Sequence, residues 1–259
     1  MRGFFDYLPN DYQEYKALGY ENELNLWGHI APFILTVVCI IFVYHNRKKI
    51  LNWKYENILR YVIAGLLVFG VLSYRIYVIY YKQFDVFYDL PFHISNVTAF
   101  MLAYALVTKK RIVAEMFFSW AIISGLAAMV YPDTLYVQFD HFLYYQLMGT
   151  HSIILFVPFY FMYVYNWKAT KKTFVRSILA LYAYAIISGI LNIIFDTNYA
   201  LSNPNYPAVG TPLVTISDFS NGSLLSYLVL SFLLLAVLVL IINFILVLCS
   251  INIEIAPYE

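Results

Sequence analysis

The stretch LLSYLVLSFLLLAVLVLIINFILVLC, residues 224–249, contains no charged side chain. A helix that crosses a bilayer needs about 20 mostly apolar residues, so this run reads as a transmembrane segment. Working outward from it, six more candidates recur along the chain, at about 27–44, 58–80, 90–107, 114–131, 142–165 and 174–195. The first and third are short for a span. Composition agrees: of 259 residues, 62% are hydrophobic and only 12% charged, against roughly 45–50% and 25% in a soluble chain. The expectation is an all-α polytopic protein, a bundle of seven transmembrane helices forming one integral membrane domain over residues 1–259, with no room for a soluble domain.

Charge placement supplies an orientation. Twelve of the 16 Lys and Arg fall in or beside three alternate loops, around Arg47–Arg60, Lys109–Arg111 and Lys168–Arg176, while most Asp and Glu collect in the other loops. By the positive-inside rule the N-terminus lies outside and the C-terminus in the cytoplasm, which an odd number of spans also requires. The first residues are polar and acidic, so no cleaved signal peptide is expected, and the first span drives insertion. The expected location is the cell membrane, multi-pass. An abundance of Ile, Tyr, Asn and Lys suggests a bacterial genome of low GC content. The formal net charge of +1 argues against a nucleic-acid partner. Cys39 and Cys249 sit in apolar runs far apart, which excludes a disulfide framework, a zinc ribbon or an iron–sulfur site. Many of the 26 Tyr lie near span ends, where aromatic rings settle at headgroup level.

Ionisable and amide groups inside a bilayer are costly, so their positions carry the functional information. Five stand out: Arg75, His93, Asn96, His151 and Asn192. In the expected topology all five lie toward the outer leaflet, and the inner halves of the spans carry little beyond Ser, Thr and snorkelling basic residues. LPFHISN, Leu90–Asn96, reads as a helix start, with Asp89 as N-cap and Pro91 in the first turn. His93 and Asn96 share a face there, with Ser95 to the side. Asn192 and Asp196 are spaced i and i+4, and Asn198 follows in a turn-rich segment. Arg75 either snorkels to headgroups, pairs with Asp196 or Asp133, or grips a lipid phosphate. No nucleotide loop, HExxH or GxSxG motif is present, and neither metal nor cofactor is expected. The partners expected are membrane lipids.

Taken together, LPFHISN at 90–96, YPD at 131–133, GTHS at 149–152 and NYALSNP at 198–204 resemble the YwaF/transmembrane protein 164 family, over most of the chain from the second span to the loop after the sixth. The resemblance implies a seven-span membrane protein. It also implies, for at least some members, phospholipid acyltransferase activity with a cysteine near the start of the third span and a histidine in the fifth. Those positions fall on Ser95 and His151, so a serine stands where the family pattern has cysteine. A serine nucleophile needs a base to take its proton. The expected roles are Ser95 as nucleophile, His151 as general base and His93 as an orienting or proton-sharing group. Arg75, Asn96, Asn192, Asp196 and Asn198 form the substrate-binding set. The alternatives are a non-catalytic lipid or small-solute binding or transport protein, and an accessory membrane subunit. Transporters commonly use broken helices and repeated halves, and the sequence displays neither.

Overall fold

The computed structural model describes residues 4–6, 26–130, 139, 141–201, 212–221 and 223–251. Among them the regular structure is helical: α1 Leu26–Leu51, α2 Glu56–Tyr80, α3 Ile94–Thr108, α4 Arg111–Val130, α5 Phe142–Val164, α6 Lys171–Phe195, α7 Pro212–Ser220 and α8 Leu224–Ile251. A one-turn helix at Val86–Asp89 and a 3-10 turn at Tyr199–Leu201 complete the set. Six helices, α1, α2, α4, α5, α6 and α8, are long and apolar enough to cross a membrane. The protein is therefore a membrane-embedded helical bundle.

Two expectations about span ends are corrected. The first helix is not short: α1 has 26 residues and continues through Arg47, Lys48 and Lys49. Hydropathy ends where charge begins, whereas Lys and Arg are good helix formers, so the helix continues past the apolar run. The third segment starts later than residue 90. Its helix opens at Ile94 with His93 as N-cap, and Leu90 is extended at φ −64°, ψ 142°. Pro91 disfavours the helical conformation in the residue before it. Asp89 is not the cap of α3. It ends the preceding turn, where its carboxylate accepts the Tyr74 hydroxyl at 2.9 Å and the Asp85 amide at 2.7 Å.

The result is a helix of 15 residues, roughly 22 Å long at 1.5 Å per residue, well short of the roughly 30 Å of a hydrocarbon core. The one-turn helix and a non-helical link, Leu90–His93, with a turn at Pro91–Phe92, precede α3. Non-helical backbone within a membrane bundle is tolerated only where protein satisfies it. Here Tyr184 donates to the Phe92 carbonyl at 2.6 Å, Tyr199 donates to the Val86 carbonyl, and Arg75 Nε donates to the Asp89 carbonyl at 2.8 Å. A broken entry to the third segment is thus present, although the sequence displays none.

Helices α2, α3, α4 and α5 pack around a shared core, with α1 against α5, α6 against α4, and α8 against α4 and α6. Leu67, Val71, Ala99, Leu102, Leu106, Phe118, Ile154 and Phe161 are buried there. Two glycines set the closest approaches. A Cβ at Gly70 of α2 would run into the Thr150 side chain of α5, and one at Gly125 of α4 would meet Leu155 Cβ at 2.8 Å and the His151 carbonyl at 3.1 Å. Small residues at such crossings let helix backbones approach closely, which is the main source of packing energy in lipid. Asn243 of α8 donates to Ser119 of α4, an interhelical hydrogen bond that ties the most apolar helix to the core.

One end of the bundle carries the three basic links. Buried Glu56 accepts hydrogen bonds from Tyr160, at 2.7 Å, and Tyr165, and pairs with Arg60 at 2.9 Å. Arg60, 2% exposed, also donates to the Leu106 carbonyl at the end of α3 and to Asn57. Nearby, Glu115 pairs with Arg111 at 2.6 Å and with Arg176. The expectation that this half of the spans is poor in ionisable groups is overturned. The carboxylates are held there because each meets an arginine and a second basic group, and losing both would strand a buried charge.

At the opposite end the segment Phe4–Asp6 is strapped across α2 and α5. The Phe4 carbonyl accepts the Phe142 amide at 2.9 Å, the Phe5 carbonyl accepts Tyr81, and the Asp6 carbonyl accepts Tyr77 at 2.7 Å and His141 Nε2 at 2.8 Å. His141 is fully buried and caps α5 by accepting the Leu143 amide on Nδ1 at 3.1 Å.

Candidate functional site

The site grows from the point where α3 begins. Arg75, near the end of α2, folds its guanidinium back along its own helix: Nη1 donates to the Val71 carbonyl at 2.9 Å and reaches Asn96 Oδ1 at 3.5 Å. The guanidinium also lies over the Tyr74 ring, 5.2 Å from its centroid. Nη2 makes no hydrogen bond among the described residues, which leaves donors able to meet an anion. Of the partners expected for Arg75, Asp196 is an exposed residue at the end of α6 and no contact joins the two; Asp133 lies outside the described residues.

His93 and Phe92 present their rings to Tyr199, with centroids 5.4 and 5.5 Å apart in edge-to-face arrangement. Burial, with the carboxylates of Asp89 and Asp85 adding to it, pushes the Tyr199 phenol above its ordinary range, so it remains a donor. Asn192 holds Tyr199 in turn: Nδ2 donates to the Tyr199 carbonyl at 2.9 Å, while Oδ1 accepts the Tyr199 amide at 2.7 Å and the Thr197 hydroxyl at 2.9 Å. Its amide is thus engaged in knitting the chain after α6. Asp196 is the C-cap, left-handed at φ 50°, and its amide bonds the Asn192 carbonyl. It leaves the helical path, so the i, i+4 face read from sequence ends before it. Asn198 is buried.

Ser95 lies in the first turn of α3, half-buried, and its hydroxyl makes no hydrogen bond among the described residues. At 100° per residue it falls on the same face as the buried Ala99, Leu102 and Leu106, opposite the exposed Met101 and Tyr104. The serine therefore points into the bundle. His151, in α5, contributes Nδ1 to a hydrogen bond with the Leu147 carbonyl at 2.9 Å. A carbonyl only accepts, so Nδ1 carries a proton, and in the neutral ring Nε2 presents its lone pair. Thr150 faces Gly70 of α2 and Leu155 faces Gly125 of α4, and the helical register puts His151 between them, on the side of α3.

The two residues also share a depth. Arg75 reaches back to Val71 and touches Asn96 there, and Val71 is the neighbour of Gly70, against which Thr150 packs. The first turn of α3 and the GTHS stretch of α5 thus lie at one level. The described contacts bring Arg75 to Asn96, and His93 and Asn192 to Tyr199; no hydrogen bond joins Ser95 to His151.

Sequence reasoning missed Tyr184 and Tyr199, which satisfy the broken backbone, and Tyr74, which donates to the Asp89 carboxylate, because tyrosines near span ends look like interface anchors. It also missed Glu56 with Arg60 and Arg111 with Glu115, although the i, i+4 spacing of opposite charges was a usable signal. YPD at 131–133 and the end of NYALSNP lie outside the described residues.

No curated protein and no solved structure matches the chain. The TMEM164 family model matches residues 21–247, nearly the whole length of this helical bundle, and the chain is a membrane protein belonging to the TMEM164 family.

Proposed function

We propose that the chain is a seven-span protein of the cell membrane, N-terminus outside and C-terminus cytoplasmic, which transfers an acyl chain between phospholipids at the recess where α3 begins. The observation that carries this reading is the His151 hydrogen bond to the Leu147 carbonyl: with Nδ1 donating, the neutral ring offers Nε2 as a base, on the α3 side of α5 and level with an uncommitted serine hydroxyl. In the first step the Ser95 Oγ attacks the carbonyl carbon of a phospholipid ester. Its proton passes to His151 Nε2, the ester C–O bond breaks, and the lysophospholipid oxygen leaves with that proton. In the second step an acceptor hydroxyl gives its proton to Nε2, attacks the acyl-serine, and releases Ser95, which recovers the proton. The free amides at the head of α3 and the Asn96 amide stabilise the oxyanion. Arg75 holds the phosphate through Nη2, and His93 orients the headgroup from its seat against Tyr199.

The test is transfer of a labelled acyl chain between phospholipids by purified protein, with trapping of the acylated chain. Ser95→Ala abolishes transfer and His151→Ala is nearly as damaging. Ser95→Cys preserves or raises it and softens the loss at His151, since a thiol depends less on its base. Undiminished transfer by Ser95→Ala removes serine catalysis. A second reading, a non-catalytic lipid or small-solute binding protein, is favoured by the lack of a Ser95–His151 hydrogen bond among the described residues. Phospholipid retention that depends on Arg75, without any transfer by the unaltered protein, selects it.

A further inference from the structure

The basic end of the bundle holds twelve of the 16 Lys and Arg but only two described carboxylates, Glu56 and Glu115. Both are buried, and both are already matched: Glu56 by Arg60 and Lys109, the latter at 3.6 Å, and Glu115 by Arg111 and Arg176. The other described carboxylates, Asp6, Asp85, Asp89, Asp196 and Asp218, belong to the opposite end. Among the described residues, therefore, the exposed lysines have no acid to meet. Lys48, Lys49, Lys54, Lys110, Lys171 and Lys172 are all exposed, and none forms an ion pair among the described residues.

These lysines do not belong to separate patches. Arg111 Nη2 donates to the Lys168 carbonyl at 3.3 Å, Arg176 joins the same Glu115, and Lys109 bridges to Glu56 at the head of α2. The three basic links are thereby bound into one surface. Exposed aromatic residues stand among the charges: Trp53, Tyr55 with Lys54 over its ring at 4.7 Å, and Tyr104, whose hydroxyl accepts Lys110 Nζ at 2.8 Å. Aromatic rings of this kind sit at headgroup depth, so the ammonium groups lie in the plane of the lipid phosphates.

We propose that this surface binds anionic phospholipid, gathering a shell of acidic headgroups around the basic end in preference to zwitterionic lipid. The chemistry is that of clustered, uncompensated ammonium groups against a surface of fixed negative charge, strengthened where the charges lie within a Debye length of one another. The proposal stands on the basic end alone and does not depend on acyl transfer at the other.

The full chain is reconstituted in vesicles of equal phosphatidylcholine and phosphatidylglycerol, extracted in mild detergent, and its retained lipids are counted by native mass spectrometry. Phosphatidylglycerol should be retained several-fold over phosphatidylcholine at low salt, with the preference falling as salt rises. Changing the six lysines together to Gln should bring the ratio to parity, and changing them to Arg should keep it. These side chains are exposed, so both variants should fold, and the charge-preserving set separates lost charge from lost structure. Equal retention by the unaltered protein, or a preference that survives the Gln variant, overturns the proposal.

Discussion

Arg60 and Arg75, both on α2, hold the two ends of α3, and the contrast between them separates architecture from function. Arg60 is almost wholly buried and fully engaged, with a glutamate, an asparagine and a helix-end carbonyl around it. Arg75 is only half-buried and binds three oxygens through Nε and Nη1, so that Nη2 remains available. A guanidinium has five N–H donors, and a site that uses all of them internally has nothing left for a ligand. At the basic end of α3 the guanidinium is fully committed; at the other end it keeps Nη2 uncommitted among the described residues.

The contrast breaks most readily at Arg60. Arg60→Ala takes from Glu56 its buried partner, leaving it the partly exposed Lys109 and two tyrosine hydroxyls, and uncovers the Leu106 carbonyl. It should cost about 3 kcal/mol, measured as a loss of monodisperse protein and a lowered unfolding temperature in detergent. Next is Gly125→Ala, which pushes a methyl against Leu155 and the His151 carbonyl. Overpacking of this kind should cost about 1–3 kcal/mol. Because it displaces the backbone of His151, acyl transfer should fall further than stability does, and Leu155→Ala in the same chain should restore part of both. Asn192→Ala removes three hydrogen bonds to the segment that seats Tyr199 and should cost about 1–3 kcal/mol. Hydrogen exchange should show the gain in amide exchange confined to residues 197–201. The smallest stability effect belongs to Arg75→Lys, under about 1 kcal/mol, yet this change should weaken phosphate-dependent lipid binding, because an ammonium cannot reproduce the fork. An Arg75→Lys chain as unstable as Arg60→Ala would erase the distinction between the two ends.

The helical membrane fold was legible because apolar length is a strong signal, and 224–249 leaves no second interpretation. The start of α3 was less so. Pro91 fits the first turn of a helix as well as it fits the non-helical link before one, and only the hydrogen bonds of Tyr184 and Arg75 decide between them. Among the site residues, the meeting of Arg75 and Asn96 could be anticipated from polar groups at matched depth. The seating of His93 against Tyr199 could not, since position 199 follows α6 and sequence distance says nothing about which loop folds over which helix. The glutamates at the basic end were overlooked for a related reason: in a list of charges by loop, Glu56 and Glu115 look like minor offsets among lysines, and their burial is a tertiary fact.

The Phe4–Asp6 strap has a consequence in time. Its three carbonyls bond groups at positions 77, 81, 141 and 142, so the first described residues of the chain find their seats only after α5 has been made and inserted. Contacts of such long sequence separation form late, after the intervening chain has been ordered. The strap is therefore a closing step in assembly: its docking reports that α2 and α5 have already come together.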